Sequence, residues 1–182
     1  MTRPIRRRSV QVAFAVLTLA GAMGLYWFQP WKLVTDQKVA EQLTAVSPPT
    51  VSAAPGTPTV TPAGPVLLRQ GDFITHEHQT SGTVRVVRNA DGSRRLELVG
   101  LDTSNGPDLR VWLSDQPVRS GAAGWRVFDD GDWVELGRLK GNKGDQAYAI
   151  PDRTDLDRLR SVSIWCKRFS VSFGAASLAT LD

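Results

Sequence analysis

The chain has 182 residues and a formal charge of +4, enough for one ordinary domain with additions and too short for most multidomain enzymes. A pI near 9.6 first suggests nucleic acid or an anionic membrane, but the whole excess lies before Leu67, in Arg3, Arg6, Arg7, Arg8, Lys32 and Lys38 set against Asp36 and Glu41. From Leu67 to Asp182 the charges balance, so the bulk of the chain lacks a basic footprint and a nucleic-acid partner is not expected.

Every residue from Ser9 to Trp31 is uncharged, and about 20 such residues in a helix cross a hydrocarbon core of about 30 Å. Four arginines precede the run, while Tyr26, Trp27, Phe28 and Trp31 cluster at its far end, where amphipathic rings favour the membrane interface. The pattern predicts a single-pass signal anchor in the cell membrane over residues 9–31. Residues 1–8 would then be cytoplasmic and everything after the anchor extracytoplasmic. The alternative is a cleaved secretory signal, with Ala20-Gly21-Ala22 as a small-residue cleavage site; either way the bulk is exported. Lipidation at the apolar run is excluded, because the one cysteine is Cys166.

Residues 32–66 read as a linker. Lys32 to Gln42 mixes charged and apolar residues and could briefly continue the helix. Prolines 48, 49, 55, 58, 62 and 65 then fix φ and remove backbone donors, as in a semi-extended spacer or a disordered tether.

In the domain at residues 67–182, apolar residues alternate instead of recurring at helical spacing. Strands are predicted over Phe73–His78, Gly82–Asn89, Arg94–Leu101, Leu109–Asp115, Trp133–Leu139, Gln146–Ile150, Ser161–Arg168 and Val171–Leu178. Turn-forming clusters separate them, among them Asn89-Ala-Asp-Gly-Ser93 and Gly141-Asn-Lys-Gly-Asp145. About eight short strands so punctuated predict an all-β fold, an antiparallel β-sandwich. The one segment that could be helical is Asp152–Leu159, which an aspartate could cap. Alternation also assigns faces: Leu109, Val111 and Leu113 oppose Arg110, Trp112 and Ser114; Leu96 and Leu98 oppose Glu97 and Val99; Val162, Ile164 and Cys166 oppose Trp165, Lys167 and Phe169.

A lone cysteine in an exported chain cannot close an internal disulfide, so Cys166 is a buried small hydrophobe, a free thiol, an intermolecular partner or a ligand. Lys167 and Arg168 beside it could stabilise a thiolate at an exposed strand end, leaving a redox thiol or a soft ligand for a metal or haem. His76 and His78 stand in H-x-H spacing, which on a strand puts both imidazoles on one face; a metal would need further ligands, and surface or turn-bonding histidines are the commoner outcome. Gly141-Asn-Lys-Gly-Asp-Gln146 lacks the phosphate-loop pattern and reads as a tight loop. Asp129, Asp130, Asp132 and Glu135 lack regular calcium-ligand spacing. No acid, base and nucleophile constellation is visible, so no catalytic residue and no metal site are assigned, and a non-catalytic module is expected over an enzyme.

The domain resembles the DM13 family, named for electron transfer, over nearly all of Gly71–Leu178. The matching segments are Phe73 with Glu77-His78-Gln79-Thr80-Ser81-Gly82-Thr83-Val84, Asp102-Thr103-Ser104-Asn105-Gly106-Pro107-Asp108-Leu109, Leu136-Gly137-Arg138-Leu139-Lys140-Gly141-Asn142, Gly144-Asp145-Gln146-Ala147-Tyr148, and Ser163-Ile164-Trp165-Cys166-Lys167-Arg168-Phe169-Ser170-Val171-Ser172-Phe173-Gly174-Ala175-Ala176. The resemblance implies an all-β extracytoplasmic module whose characteristic cysteine, here Cys166, serves in redox chemistry as a bare thiol or as the attachment point of a prosthetic group such as haem. His78 falls within the matching pattern and His76 does not, which makes His78 the accessory ligand candidate. Animal relatives join the module to cytochrome-linked domains. This chain has no room for one, so any electron partner is expected to be a separate protein.

Two functions follow as expectations: a membrane-tethered redox or electron-transfer module acting through Cys166, or a cell-envelope binding module in which Cys166 is core packing.

Overall fold

A computed structural model of the chain describes residues 3–46 and 64–180, without the side chains of residues 3–6 and Leu33. Most of the proline-rich stretch expected as a spacer lies outside the described residues. Helix α1 (Arg3–Phe28) is long and apolar enough to cross a membrane. It ends where Gln29 turns left-handed and Pro30 starts a short 3-10 turn, Pro30–Val34, so the helix does not continue through Lys32–Gln42. That segment instead supplies a strand.

Among the described residues eleven strands follow: β1 (Lys38–Ala40), β2 (Val66–Asp72), β3 (Ile74–Thr75), β4 (Ser81–Arg88), β5 (Arg94–Asp102), β6 (Leu109–Ser114), β7 (Trp133–Arg138), β8 (Lys143–Ile150), β9 (Ser161–Cys166), β10 (Val171–Ser177) and β11 (Ala179–Thr180). One sheet has the order β1-β8-β5-β4-β2-β11 and the other β3-β10-β9-β6-β7. Every pairing is antiparallel except the parallel pair of β1 with β8. The fold is the expected sandwich. We call these sheets the first and the second.

The strand expected over Phe73–His78 is differently placed. Pairing begins earlier, at Val66, and breaks at the buried Phe73, where the chain passes from the first sheet (β2) to the second (β3). A residue at such a crossing packs between layers and has no alternating neighbours to mark it. The segment Asp152–Leu159 makes one turn and not a helix: the Leu159 N–H donates to the Asp155 carbonyl, and Asp155 Oδ1 accepts from the N–H groups of Asp157 and Arg158.

Between the sheets, Val84, Val86, Leu96 and Leu98 of the first face Leu109, Val111, Leu113, Val162 and Ile164 of the second, all buried. Each such side chain contributes about 1.5–3 kcal/mol by leaving water. The opposite faces are also covered, which simple alternation does not foresee. Glu97, pointing away from the core, is fully buried and accepts hydrogen bonds from Thr44 N–H and Oγ1 and from Arg85 Nε. On the second sheet, Trp112, Trp165 and Ala175 form a separate buried cluster with Phe128. Phe169, expected beside Trp165, packs instead against the main core, because β9 ends at Cys166 and the chain turns there.

Residues 35–46 are strapped to the domain. Asn142, itself buried, accepts from the Gln37 N–H and donates to Asp36 Oδ1 and the Thr103 carbonyl. Gly144, at φ +99, lies where a Cβ would stand 2.0 Å from the Val39 carbonyl oxygen. Glycine is required there twice over, by conformation and by the closeness of β1.

Candidate functional site

Cys166 closes β9, paired with Leu109 on one side and Val171 on the other. Its side chain shares the core with Ile164 and Phe173 and is wholly shielded from solvent. Burial pushes the thiol above its ordinary pKa; backbone groups of Phe169, Asp108 and Arg168 pull it down, and the Glu77 carboxylate adds to the rise. The net state is a protonated thiol ringed by peptide groups. Lys167 does not reach it: its ammonium lies 3.4 Å from Glu135 on the outer side of the sheet. Arg168 is also turned away, its guanidinium donating to the Tyr26 and Trp27 carbonyls at the end of α1.

The two histidines separate. β3 stops at Thr75, so the pair is not on a strand and does not share a face. His76 is buried, its Nε2 3.0 Å from the Arg119 carbonyl and its Nδ1 2.9 Å from Ser172 Oγ. A carbonyl only accepts, so Nε2 carries the proton and Nδ1 is the acceptor. Ser163 Oγ donates to Ser172 Oγ, extending the chain of hydroxyls. Burial holds the His76 pKa below its usual value, which keeps the ring neutral at pH 7. With both nitrogens engaged inside the protein, His76 is a structural bracket between β10 and the loop at Arg119.

His78 is half-buried and lies tilted against Phe173, ring centroids 4.0 Å apart at 38°. It borders a cavity of about 210 Å³ with Pro107, Phe169 and Phe173 of the domain and Phe28 and Pro30 from the end of α1. His78 and Cys166 therefore lie against the same first residues of β10, His78 through Phe173 and Cys166 through Val171. Among the described residues no group of three or more histidine, cysteine, aspartate or glutamate side chains could hold a metal ion. The acidic run is dispersed accordingly. Asp132 pairs with Arg158, and Glu135 pairs with Arg110 and accepts from the Trp112 indole.

The second sheet carries a feature the sequence did not single out. Trp133, Trp112 and Trp165 stack diagonally across β7, β6 and β9, with centroids 4.0 Å apart at 4° for the first pair and 5.0 Å at 23° for the second. Phe128 meets Trp165 edge-on at 6.3 Å. Tryptophan at 112 and 165, and at 133, looked like ordinary strand residues one at a time. Only the register, which sets Trp112 opposite Glu135 and Trp165 opposite Arg110, makes them diagonal neighbours.

A two-sheet sandwich with a lone sealed thiol, two unlinked histidines and an aromatic row on one outer face is a small β-domain whose chemistry rests on a few packed groups. The family model described as Electron transfer DM13 matches residues 72–178, more than half of the chain, and the chain belongs to that family. No curated protein and no solved structure matches it.

A prosthetic group on Cys166 does not fit this arrangement. The sulfur has no exposed surface, and the cavity of about 210 Å³ beside its neighbours is smaller than the roughly 300 Å³ at which ligand pockets begin.

Proposed function

We propose that this protein is a membrane-tethered, extracytoplasmic electron-transfer module, anchored by α1 with its arginines in the cytoplasm, in which Cys166 takes part as a bare thiol. The observation that carries the reading is convergence. Segments that carry the family resemblance, distant in sequence, meet around one sulfur: Glu77-His78 against β10, Asp108-Leu109 against β9, and the turn at Arg168-Phe169 over the strand end. A sealed thiol of raised pKa is a poor nucleophile, so thiol–disulfide exchange is disfavoured; Cys166 is already fully reduced, and its part is to give up one electron, with its proton, through the protein to an oxidising partner. The partner is then a separate one-electron carrier. The arginine-first, aromatic-last layout of α1 favours the stated topology.

The second reading is a binding module of the cell envelope, and the complete burial of Cys166 among Leu109, Ile164 and Val171 favours it. One experiment separates the two. The full chain, purified in detergent, is titrated coulometrically with a one-electron mediator, and Cys166→Ala is titrated beside it. The alanine should cost about 1 kcal/mol, as for loss of a small buried group, and remain folded. Electron release to the oxidised mediator that is lost with Cys166 supports the redox reading; identical titrations of the two chains overturn it in favour of the binding module.

A further inference from the structure

The row Trp133, Trp112 and Trp165 runs from the surface to the interior. Trp133 is 39% exposed, Trp112 3% and Trp165 1%. The Trp112 indole Nε1–H donates to Glu135 Oε2 at 3.3 Å, and the same carboxylate is held by Arg110 and Lys167. Cross-strand packing alone does not ask for this combination: parallel stacked indoles, graded burial, and a carboxylate on the central indole N–H. Indole is among the most readily oxidised side chains, and its radical cation is far more acidic than the neutral ring, so a hydrogen-bonded carboxylate can share its proton.

We infer that the stacked tryptophans form a one-electron relay across the outer face of the second sheet, with Glu135 as proton acceptor for Trp112 and Trp133 as the port for a partner. The inference rests on the electron-transfer reading of the module and not on Cys166. The steps balance. A one-electron oxidant, such as the oxidised metal centre of a docked protein, removes one electron from Trp133 and leaves its radical cation. Trp112 returns an electron to Trp133 and becomes the radical cation; its Nε1 proton moves along the hydrogen bond to Glu135, giving a neutral radical and a carboxylic acid. That proton comes back to Nε1 as Trp165 supplies the electron that restores Trp112, which leaves the hole on Trp165. A one-electron donor, a reduced metal centre, then returns Trp165 to its starting state.

The port has charges as well as an aromatic face. Asp129 and Asp130 are exposed in the loop leading to Trp133, while Arg158 and Lys167 lie beside Asp132 and Glu135, so the charge around the port is of both signs and the partner is expected to dock chiefly on the exposed indole, with modest dependence on ionic strength.

The test places the oxidant at the port. In the full chain in detergent, Asp130→Cys is labelled with a ruthenium polypyridyl photo-oxidant; native Cys166 is sealed and does not compete. After flash-quench, transient absorption should show an indole radical whose lifetime reflects a shielded site. Trp112→Phe should shorten that lifetime at least tenfold by stranding the hole on exposed Trp133. Glu135→Gln should replace the neutral-radical spectrum of Trp112 by that of the cation. Trp133→Phe, at the rim where the core is untouched, should slow hole arrival and covers the case in which Trp112→Phe does not fold. Unchanged yield and lifetime in the folded Trp112→Phe and Trp133→Phe chains overturn the relay. Cys166→Ala in the same background leaves the indole signals in place if the relay stands, even where the titration above has removed Cys166 from the redox reading.

Discussion

The outward faces of the two sheets are both covered, by opposite means. On the first sheet the cover is ionic: Glu97 sits under Arg85, Arg95 and Thr44, and Lys140 and Lys143 reach Glu41 and Asp36 of the segment that lies across them. On the second it is aromatic: Trp112 and Trp165 are covered by Phe128 of the loop that follows β6, with hydroxyls and one imidazole as the polar members. The ionic face fixes the polypeptide arriving from α1 through Glu97, Lys140 and Lys143. Among the described residues the aromatic cluster packs with Val118 and Val127 of the following loop, and it is where graded exposure and the Glu135 carboxylate coincide. The alternation rule that made both faces says nothing of this division, because it sorts residues into sides and leaves open what arrives to cover each side.

The contrast breaks most severely on the aromatic side. Trp165→Ala removes the centre of the cluster formed with Trp112 and Phe128, and a destabilisation of about 3–5 kcal/mol is expected in denaturant unfolding of the full chain. A cost below about 1 kcal/mol would mean that the cluster is loosely packed and that the face is not a second core.

On the ionic side, Glu97→Ala should cost about 3 kcal/mol, the low end for breaking a buried pair, since Arg85 can still reach water. The loss should depend on pH in a definite direction. Burial raises the Glu97 pKa, but hydrogen bonds from Thr44 and Arg85 outweigh it and hold the carboxyl below its ordinary value of 4.5. A group whose folded pKa is depressed stabilises above its unfolded pKa and loses that contribution as pH falls through the folded value. Native and Glu97→Ala stabilities should therefore converge below about pH 4.5; curves that stay parallel into acid would show that the charge of Glu97 is not what holds Thr44.

Gly144→Ala addresses the same face through shape. The added Cβ meets the Val39 carbonyl at a φ that only glycine adopts freely, and about 2 kcal/mol is expected. The loss should come with faster proteolysis between residues 35 and 46, while the spectroscopic signature of the stacked tryptophans is unchanged. Equal disturbance of both faces would mean that they are coupled through the core.

Much of this was legible in the sequence, and the reasons differ by element. Leu96, Leu98, Leu109, Val111, Leu113, Val162 and Ile164 alternate with residues of other character, so their inward side follows from period two alone. β1 was not legible: Lys38–Ala40 is three residues long, and it is held by Asn142 and a glycine about a hundred positions away. Cys166 was placed on the correct side of β9, but whether the strand end was exposed depended on the turn at Arg168-Phe169, which folds Phe169 back onto the core. The histidine spacing misled because it presumed a strand through residue 78, and β3 ends at Thr75. The tryptophan row needed register, which no single strand contains.

The smallest effect expected is at the rim of the ionic face. Lys140 Nζ lies 2.7 Å from Glu41 Oε1, and both side chains remain substantially in water, 41% and 35% exposed. Pairs of that kind contribute about 0.5 kcal/mol and less in salt. Lys140→Met keeps the alkyl stem but removes the charge, and with it the ammonium's place over the Tyr148 ring and its hydrogen bond to the Ala147 carbonyl, so it should move the unfolding midpoint only slightly, with the ionic part of the difference vanishing at high ionic strength. Glu41 also accepts from the Ala147 N–H, and that bond survives the substitution. If Lys140→Met nevertheless frees residues 35–46 to proteolysis as Gly144→Ala does, the strap depends on charge more than on strand geometry, and the ionic face is a switchable contact and not a fixed one.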